Sequence, residues 1–561
     1  MNKRVEDLLA RRKRLAEERR SWEPHWQELA EMLLPRRADF IPDRTLGAKR
    51  TEKQFDSVPM QAARGLAAAL DGLLKPKSER WFHLRAEDEE LNRDPEVKRW
   101  FEHAESRLFA RLYEPQARFL QRSAEVDLDL VVFGTGALYV GERVGAGGLL
   151  FRSHHLRGFY IAENADGDID TVFREFDLTA RQAAQQFGED KLGDKTREAL
   201  KGDAPDRRFK FLHVVQPRAE RDPRRRDKAH LPFASVFVDM ESQHLIGEGG
   251  FQDFPYIVPR WETATDEVYG RSPGMLALPE VNTLNQMGKT LLRAGHKVVD
   301  PPLLVPDDGI TGGPRTYPGG ITAYDAGLLR LLGGRAPVTP LQTGANLPLG
   351  REMQNDSREQ VWSAFFRNVL QLPVDSPKMT ATEVLERKEE FLRVIGPTFG
   401  RLEADYTAPL VQRAFHVLYR AGAFAPPPDK LRGRDLGFDF ASPVTKARKQ
   451  IEATALRKTI DDVGALVAAN PRLLDNFDDD QIVRDVSEAN GVPQRWLKPP
   501  EEVARKRLAA PPAGAGMPPG PGPSGPPPLA VGPDPAADAA ALPVEAPGLA
   551  PAPDAGGEVL P

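Results

Sequence analysis

The chain has 561 residues, enough for several domains, with 40% hydrophobic and 28% charged residues. It contains no cysteine, which excludes disulfides, thiolate zinc sites, iron–sulfur clusters and cysteine nucleophiles. The net charge is −5, and the five acids of the segment 511–561, which has no Lys or Arg, account for all of it. A strongly basic DNA-wrapping protein is therefore not indicated.

The first third of the chain predicts helices that each bury one face. The first helix carries the basic cluster Arg11-Arg12-Lys13-Arg14, which we expect on a solvated or subunit-contacting face, with DNA contact as the alternative. Ser21 predicts a helix cap, with Pro24 in the first turn of the next helix. Further helices are predicted over 60–74, 95–113 and 120–132, the last ending at Gly134-Thr135-Gly136.

Strand patterns follow. Residues 137–142 and 149–152 flank a glycine-rich turn and predict a hairpin. Asp166-Gly167 is a turn signal before an alternating segment, and further strands are predicted over 207–216 and 231–239. The chain as a whole therefore predicts an α+β fold that is mainly helical.

Two long helices frame a segment rich in glycine and proline. Ser272-Pro273 predicts a helix start, and Pro279 should interrupt or restart that helix before it continues over 280–297. The second helix is predicted over 349–370. Its exposed face should carry charges of both signs: Arg351, Glu352, Asp356, Arg358 and Glu359.

A proline-broken loop follows the second helix, and the stretch Pro377-Lys378-Met379-Thr380-Ala381-Thr382-Glu383-Val384 predicts the next helix start, because Thr380 and Glu383 have the capping-box spacing. That helix should run over 382–419, with kinks at Pro397 and Pro409. Helices over 446–470 and 481–489 come next, and 16 prolines among the last 51 residues predict a disordered tail.

The sequence offers no coherent catalytic constellation. Gly270-Arg271-Ser272-Pro273-Gly274 fits the nucleophile-elbow pattern, but Pro273 lacks the backbone N–H that an oxyanion hole would need there. The nucleotide-binding loop and the His-Glu-x-x-His pattern are missing. The adjacent pair His154-His155 would point to opposite faces of a strand. We therefore predict no enzyme activity, no catalytic residues, no cofactor and no metal.

Several segments, in their order and spacing, resemble one family. They are Gln54-Phe55-Asp56-Ser57, Trp81-Phe82, Phe133-Gly134-Thr135-Gly136, Tyr269-Gly270-Arg271-Ser272-Pro273-Gly274, Asp300-Pro301-Pro302 and Pro377-Lys378-Met379-Thr380-Ala381-Thr382-Glu383-Val384. Together they are similar to the head-to-tail connector, or portal protein, of short-tailed bacteriophages (podoviruses). The resemblance runs from about Trp22 to about Trp496.

The resemblance implies a portal fold with an α/β wing, a two-helix stem, a small mixed clip, a helical crown and a disordered Pro/Ala-rich tail. Mapped on this chain, the parts are wing 1–271, first stem helix 272–298, clip 299–347, second stem helix 348–371, channel (tunnel) loop 372–381, wing helix 382–441, crown 442–510 and tail 511–561.

The resemblance also implies a function. A ring of subunits, expected to be a dodecamer, would sit at a capsid vertex of the virion, after assembly in the host cytoplasm, and double-stranded DNA would be packaged and ejected through it without sequence preference. The implied partners are the terminase large subunit, a tail adaptor, the major capsid protein and scaffolding proteins, with no membrane. The residues expected at the channel are Lys378, Lys289, Arg293 and Lys297, together with the loop residues Leu372, Pro373, Val374, Asp375, Ser376, Pro377 and Met379.

Two alternatives remain open from the sequence. One is another virion structural protein, such as a tail adaptor or a minor capsid protein. The other is a serine hydrolase built on Ser272, against which Pro273 and the missing motifs count.

Overall fold

The computed structural model describes residues 3–41, 47–143, 148–225, 227–304, 338–340, 344–367, 396–434, 436–440, 479–489 and 500–509, with a few isolated positions between them. The chain divides into two units, Met1–Leu497 and Lys498–Pro561. Of the second unit, the described part is chiefly one helix, Pro500–Ala509. The predicted tail 511–561 lies outside the described residues.

Helices exceed strands among the described residues, which confirms the predicted α+β, mainly helical class. In the first unit they are α1 Lys3–Arg19, α2 Trp22–Leu33, α3 Val58–Leu74, α4 Glu89–Arg93, α5 Pro95–Leu112, α6 Phe119–Phe133, α7 Ala180–Phe187, α8 Asp194–Lys201, α9 Pro273–Val299, α10 Leu347–Ala364, α11 Ala408–Arg420 and α12 Asp479–Ala489.

The strands are β1 Phe82–Ala86, β2 Leu138–Arg143, β3 Gly148–Ser153, β4 Phe159–Glu163, β5 Ile169–Thr179, β6 Arg208–Pro217, β7 Phe233–Asp239, β8 His244–Phe251, β9 Tyr256–Ile257, β10 Leu303–Leu304, β11 Thr339–Pro340 and β12 Leu436–Phe440. Five of them form an antiparallel meander in the order β4-β5-β6-β7-β8, and the others form sheets β3-β2-β9, β1-β12 and β10-β11. The predicted hairpin is β2-β3, and the turn at Gly167, with φ 86°, joins β4 to β5.

Helix α1 lies across one face of the five-stranded sheet and buries Val5, Leu8 and Leu15 against it. Its basic cluster is not simply solvated, because Arg11 donates to Gln216 on β6 and Arg12 pairs with Glu175 on β5. Two cations of α1 therefore bind it to the sheet of its own chain. The largest core cluster joins α2, α3, α6 and α9 with parts of the sheet.

Two local predictions about helices are wrong, one at Ser21 and one at Pro279. Ser21 precedes α2 but makes no side-chain capping bond, because its backbone is already helical (φ −71°, ψ −26°). Pro279 does not interrupt α9, which runs unbroken for 27 residues, or about 40 Å. A proline inside a helix costs about 3 kcal/mol, and burial of Ala277, Leu278 and Val281 on both sides of it offsets that cost.

The second long helix ends earlier than predicted. Helix α10 stops at Ala364, because Phe365 turns into the core, where it is 1% exposed, and Phe366 takes a left-handed conformation with φ 58°. That conformation is uncommon for a bulky residue and is held here by core packing. Lys378 and the rest of the predicted channel loop lie outside the described residues.

The predicted kink at Pro409 takes the form of a widened turn. Residues 396–402 are helical, Glu403–Thr407 form a π-turn, and α11 follows. Proline at position 409 has no N–H and would clash with the carbonyl of Asp405 in a regular helix, and one wide turn relieves that clash. The turn places Asp405 and Tyr406 toward the body of the first unit.

Among the described residues, no helix is long and apolar enough to cross a membrane.

Candidate functional site at the paired helices α9 and α10

Helices α9 and α10 pack side by side as an antiparallel hairpin. Two contacts fix their register: Gly350 packs directly against the Leu291 side chain, and the Ser357 hydroxyl lies 3.7 Å from Met287 Sδ. Both contacts use small or flexible side chains, so the two helix axes approach closely. This pair corresponds to the two predicted stem helices.

The segment Gln54–Ser57 fastens both helices of the hairpin to the body. The backbone N–H of Phe55 donates to Asn285 Oδ1 on α9 at 2.7 Å. The Asp56 side chain, 2% exposed, pairs with Arg358 on α10 at 2.9 Å. The sequence placed Arg358 among outward-facing charges, and the structure instead turns it inward as an anchor. Nothing in the local sequence marks Asp56 or Asn285 as an anchor, apart from the motif Gln54–Ser57 that contains Asp56.

The two glycine motifs meet at the base of the hairpin. Gly134, with φ 78°, ends α6, and a Cβ there would collide with the Gly270 carbonyl oxygen. The Thr135 hydroxyl accepts the Gly270 N–H at 2.8 Å. The pair of motifs is therefore a backbone packing joint that orients the start of α9.

Ser272 has the geometry of a helix cap. Its hydroxyl oxygen accepts the Met275 N–H at 3.0 Å and donates to the Val132 carbonyl at 2.8 Å, and the residue is 6% exposed. Both hydrogen-bonding roles of the hydroxyl are thus engaged in holding α9 on α6. This arrangement favours the cap over the hydrolase alternative, since no acceptor base contacts Ser272 within the described residues.

A buried ion pair ties α3 to α6 and to the π-turn. Lys75 and Asp127 are both about fully buried, with Lys75 Nζ 2.7 Å from each carboxylate oxygen and 3.0 Å from the Tyr406 hydroxyl. Burial raises the pKa of Asp127 to about 6, against the lowering effect of Lys75. Burial and the nearby Asp127 raise the pKa of Tyr406 well above its usual value, so the hydroxyl stays protonated.

A second buried cation holds the neighbouring residue of the π-turn. Arg260, 4% exposed, forms ion pairs with Glu163 at the end of β4 and with Asp405, the latter at 3.4 Å. It also donates to the Gly167 carbonyl at 3.0 Å. Two consecutive residues of the π-turn, Asp405 and Tyr406, are therefore each bound by a cation from a different element.

The predicted channel residues on α9 occupy two different faces. Lys289 is half-buried, with Nζ 5.6 Å from the centre of the Phe55 ring. Arg293 and Lys297 are exposed, one turn apart on the same face. Neither forms a salt bridge with any residue that the structure describes. Their contact with DNA stays a prediction, as does that of Lys378 and the loop.

The described residues contain no group of three or more His, Asp or Glu side chains placed to hold a metal ion. The buried polar groups of this region are instead engaged with one another in caps, anchors and ion pairs. The geometry therefore defines a long helical hairpin that is fastened to an α+β body.

Comparison with known proteins identifies the class. The chain matches the family described as bacteriophage head to tail connecting protein over residues 5–497. It is 29% identical over 514 residues to a probable portal protein of Bordetella phage BPP-1, covering 90% of each chain. It is 29% identical over 506 residues to the portal protein of Salmonella phage epsilon15, covering 89% of each.

Among solved structures, the chain is 12% identical to a chain in the neck of an empty GTA particle computed with C6 symmetry. That likeness has a TM-score of 0.34 and covers 78% of this chain and 94% of the other. A chain in the neck of a native GTA particle computed with C12 symmetry is 11% identical, with a TM-score of 0.32, covering 76% and 91%.

The chain therefore belongs to the bacteriophage head to tail connecting protein family. The resemblance drawn from the sequence motifs is confirmed, and so is the predicted role as a structural portal protein at the head–tail connection of a phage. The division into wing, stem, clip and crown stays a prediction.

Proposed function

We propose that copies of this chain form a closed ring of twelve at one capsid vertex, and that double-stranded DNA passes through the ring during packaging and ejection. The observation that carries the proposal is the family match, which spans nearly the whole chain up to residue 497, with two relatives named as portal proteins. The chain thus resides in the virion and acts without catalysis of its own.

The hairpin supports this proposal in physical terms. Helices α9 and α10 are fastened on one side to the body through Asn285 and Arg358, and both expose charged side chains, Arg293 and Lys297 on α9 and Glu352 and Asp356 on α10. A two-helix hairpin with exposed charges of both signs suits packing against identical neighbours around a closed axis. Near-zero net charge outside the tail suits a conduit that must not grip the phosphate backbone.

In the same proposal, the terminase large subunit docks on the ring during packaging and a tail adaptor replaces it afterwards, while the major capsid and scaffolding proteins surround the vertex. The motor supplies the energy, in keeping with a sequence that lacks a nucleotide-binding loop. Assembly takes place in the host cytoplasm. A tail adaptor or minor capsid protein is the competing assignment.

Light scattering of the full chain at micromolar concentration and moderate salt tests the ring. Twelve copies of a 62.1 kDa chain give a particle of about 745 kDa, which should show a central channel in negative stain. A monomeric mass, or an open filament without a channel, contradicts the proposal. A ring that assembles only on a preformed portal would favour the adaptor assignment.

Lys378 supplies a test of the channel. A ring of lysine side chains would meet passing phosphates as mobile point charges, with weak and salt-sensitive contact. Lys378→Glu should leave the mass of the ring unchanged and alter DNA packaging or retention. Lys98→Glu, an exposed charge reversal on α5, is the matched control. Wild-type packaging and retention by Lys378→Glu rings would remove this residue from the mechanism.

A further inference from the structure

Helices α9 and α10 carry exposed charges of opposite sign at matched spacing. On α9, Lys289, Arg293 and Lys297 recur every four residues. On α10, Asp356 and Glu352 recur every four residues in the opposite chain direction. The charges on α9 and the charges on α10 therefore form two rows, and both rows run along the axis of the antiparallel hairpin.

The two register contacts place Arg293 and Glu352 at similar heights along the hairpin. Counting from the Leu291–Gly350 and Met287–Ser357 contacts at 1.5 Å per residue, Arg293 and Glu352 lie within about 6 Å of each other along the hairpin axis. Opposite charges at equal height on packed helices could pair inside one chain. They do not: neither residue forms a salt bridge with any described residue.

The helical turn explains why they do not meet. At about 100° per residue, Arg293 is rotated by about 200–240° from Leu291 and Met287, the residues that face α10. Glu352 is rotated by about 200–220° from Gly350 and Ser357, which face α9. Arg293 therefore lies on the outer edge of α9, and Glu352 on the outer edge of α10, at opposite edges of the two-helix plate.

The outer edge of α10 carries exposed carboxylates. Glu352 and Asp356 are both exposed there, one turn apart. On α9, away from α10, Arg293 and Lys297 are exposed, also one turn apart. The two carboxylates of α10 and the two basic side chains of α9 are complementary in charge.

From these positions we infer that in the ring the plates stand edge to edge, with the outer edge of α9 of one copy against the outer edge of α10 of the next and Arg293 paired with Glu352 of the neighbouring subunit. The inference rests on the proposed ring. In this arrangement the helices run along the ring axis. Rotation about a closed cyclic axis moves each copy without any shift along that axis, so groups at similar height on opposite edges are brought face to face.

This arrangement assigns Arg293 to the contact between subunits rather than to the channel wall. If the plate instead stood radially, with α9 toward the axis, Arg293 would face the DNA and Glu352 the outside of the ring. The two arrangements differ in which groups of neighbouring copies are close together, and cross-linking distinguishes them.

The chain has no cysteine, so introduced thiols report on these positions alone. Rings of Arg293→Cys/Glu352→Cys, treated with a short bis-maleimide and run on a denaturing gel, should give a ladder of linked chains up to the size of the ring. Rings of Lys98→Cys/Glu352→Cys are the matched control and should stay monomeric on the gel. Intact rings of the first variant without a ladder would overturn the pairing, whereas absence of rings from the parent chain would overturn the proposed function instead.

Charge reversal gives an independent readout. Arg293→Glu and Glu352→Arg each place like charges at every contact, and each should raise the protein concentration needed for ring assembly roughly tenfold or more at low salt. The double variant Arg293→Glu/Glu352→Arg restores opposite charges and should assemble like the parent. Unimpaired assembly of both single variants, or a double variant no better than they are, would overturn the pairing.

Discussion

The buried pair Lys75–Asp127 gives the sharpest prediction about stability. In Asp127→Ala the ammonium of Lys75, which has no exposed side-chain surface, keeps only Asp71 at 3.6 Å and the Tyr406 hydroxyl as partners. Breaking a buried ion pair by removal of one partner costs about 3–5 kcal/mol. At about 2 °C of Tm per kcal/mol for a large unit, the melting temperature should fall by about 6–10 °C at pH 7.

Lys75→Met should cost less than Asp127→Ala, because Asp127, with a pKa of about 6, can take up a proton when its cation is removed. The double variant Lys75→Met/Asp127→Leu leaves no buried charge and should lie within about 2 kcal/mol of the parent. Differential scanning fluorimetry of the four proteins measures this cycle, with the exposed Glu87→Ala as a control. A shift below about 2 °C in Asp127→Ala, or a double variant as unstable as that single variant, would refute the reasoning.

Three further outcomes are expected. Asp56→Ala removes the anchor of α10 and should lower the free energy of unfolding by about 2–3 kcal/mol. Amide hydrogen exchange should become faster in the hairpin alone, and exchange as slow as in the parent would contradict the anchor. Burial lowers the pKa of His213 to about 3 from 6.5, so the unfolded chain binds the extra proton and stability falls as pH drops from about 6.5 toward 3, by up to about 1.4 kcal/mol per pH unit. His213→Gln should flatten that slope in acid-titrated melts, and the exposed His103→Gln should not. Gly134→Ala should prevent folding or lower the Tm severely, because φ is positive there and the Gly270 carbonyl blocks the Cβ. Gly167→Ala, where φ is also positive but the space is open, should cost only about 1–2 kcal/mol. Equal costs of the two substitutions would refute the close backbone packing of Gly134 on Gly270.

Elements with strong local signals were predictable from the sequence. The β2-β3 hairpin follows from two alternating runs around a glycine-rich turn, and the start of α9 follows from Ser272-Pro273. In both cases residues within one turn of each other supply the decisive interaction. The existence of the two long helices could be predicted for the same reason.

Features that depend on distant partners could not be predicted. Strand β1 pairs with β12 across more than 340 residues, starting at Phe82 with Phe440. The continuity of α9 through Pro279 depends on core packing that no local rule contains. The inward turn of Arg358 depends on Asp56, about 300 residues earlier in the chain.

For the candidate site, the charges and their four-residue spacing could be read from the sequence. The side of each helix on which those charges lie could not. Only the Leu291–Gly350 and Met287–Ser357 contacts show which side of each helix faces the other. The family resemblance supplied the channel loop, and that expectation lies on residues outside those described.

The two cations at the π-turn have a mechanical consequence. Lys75 and Arg260 bind Tyr406 and Asp405 from separate elements, the first from the end of α3 and the second from the strand region beside β9. A pull along the axis of residues 396–402 loads both contacts together, so both must break before the turn leaves the body. The π-turn is therefore held to the body at two adjacent residues. Tension that enters the chain on the side of residue 396 is transmitted to the body of the subunit before it reaches α11.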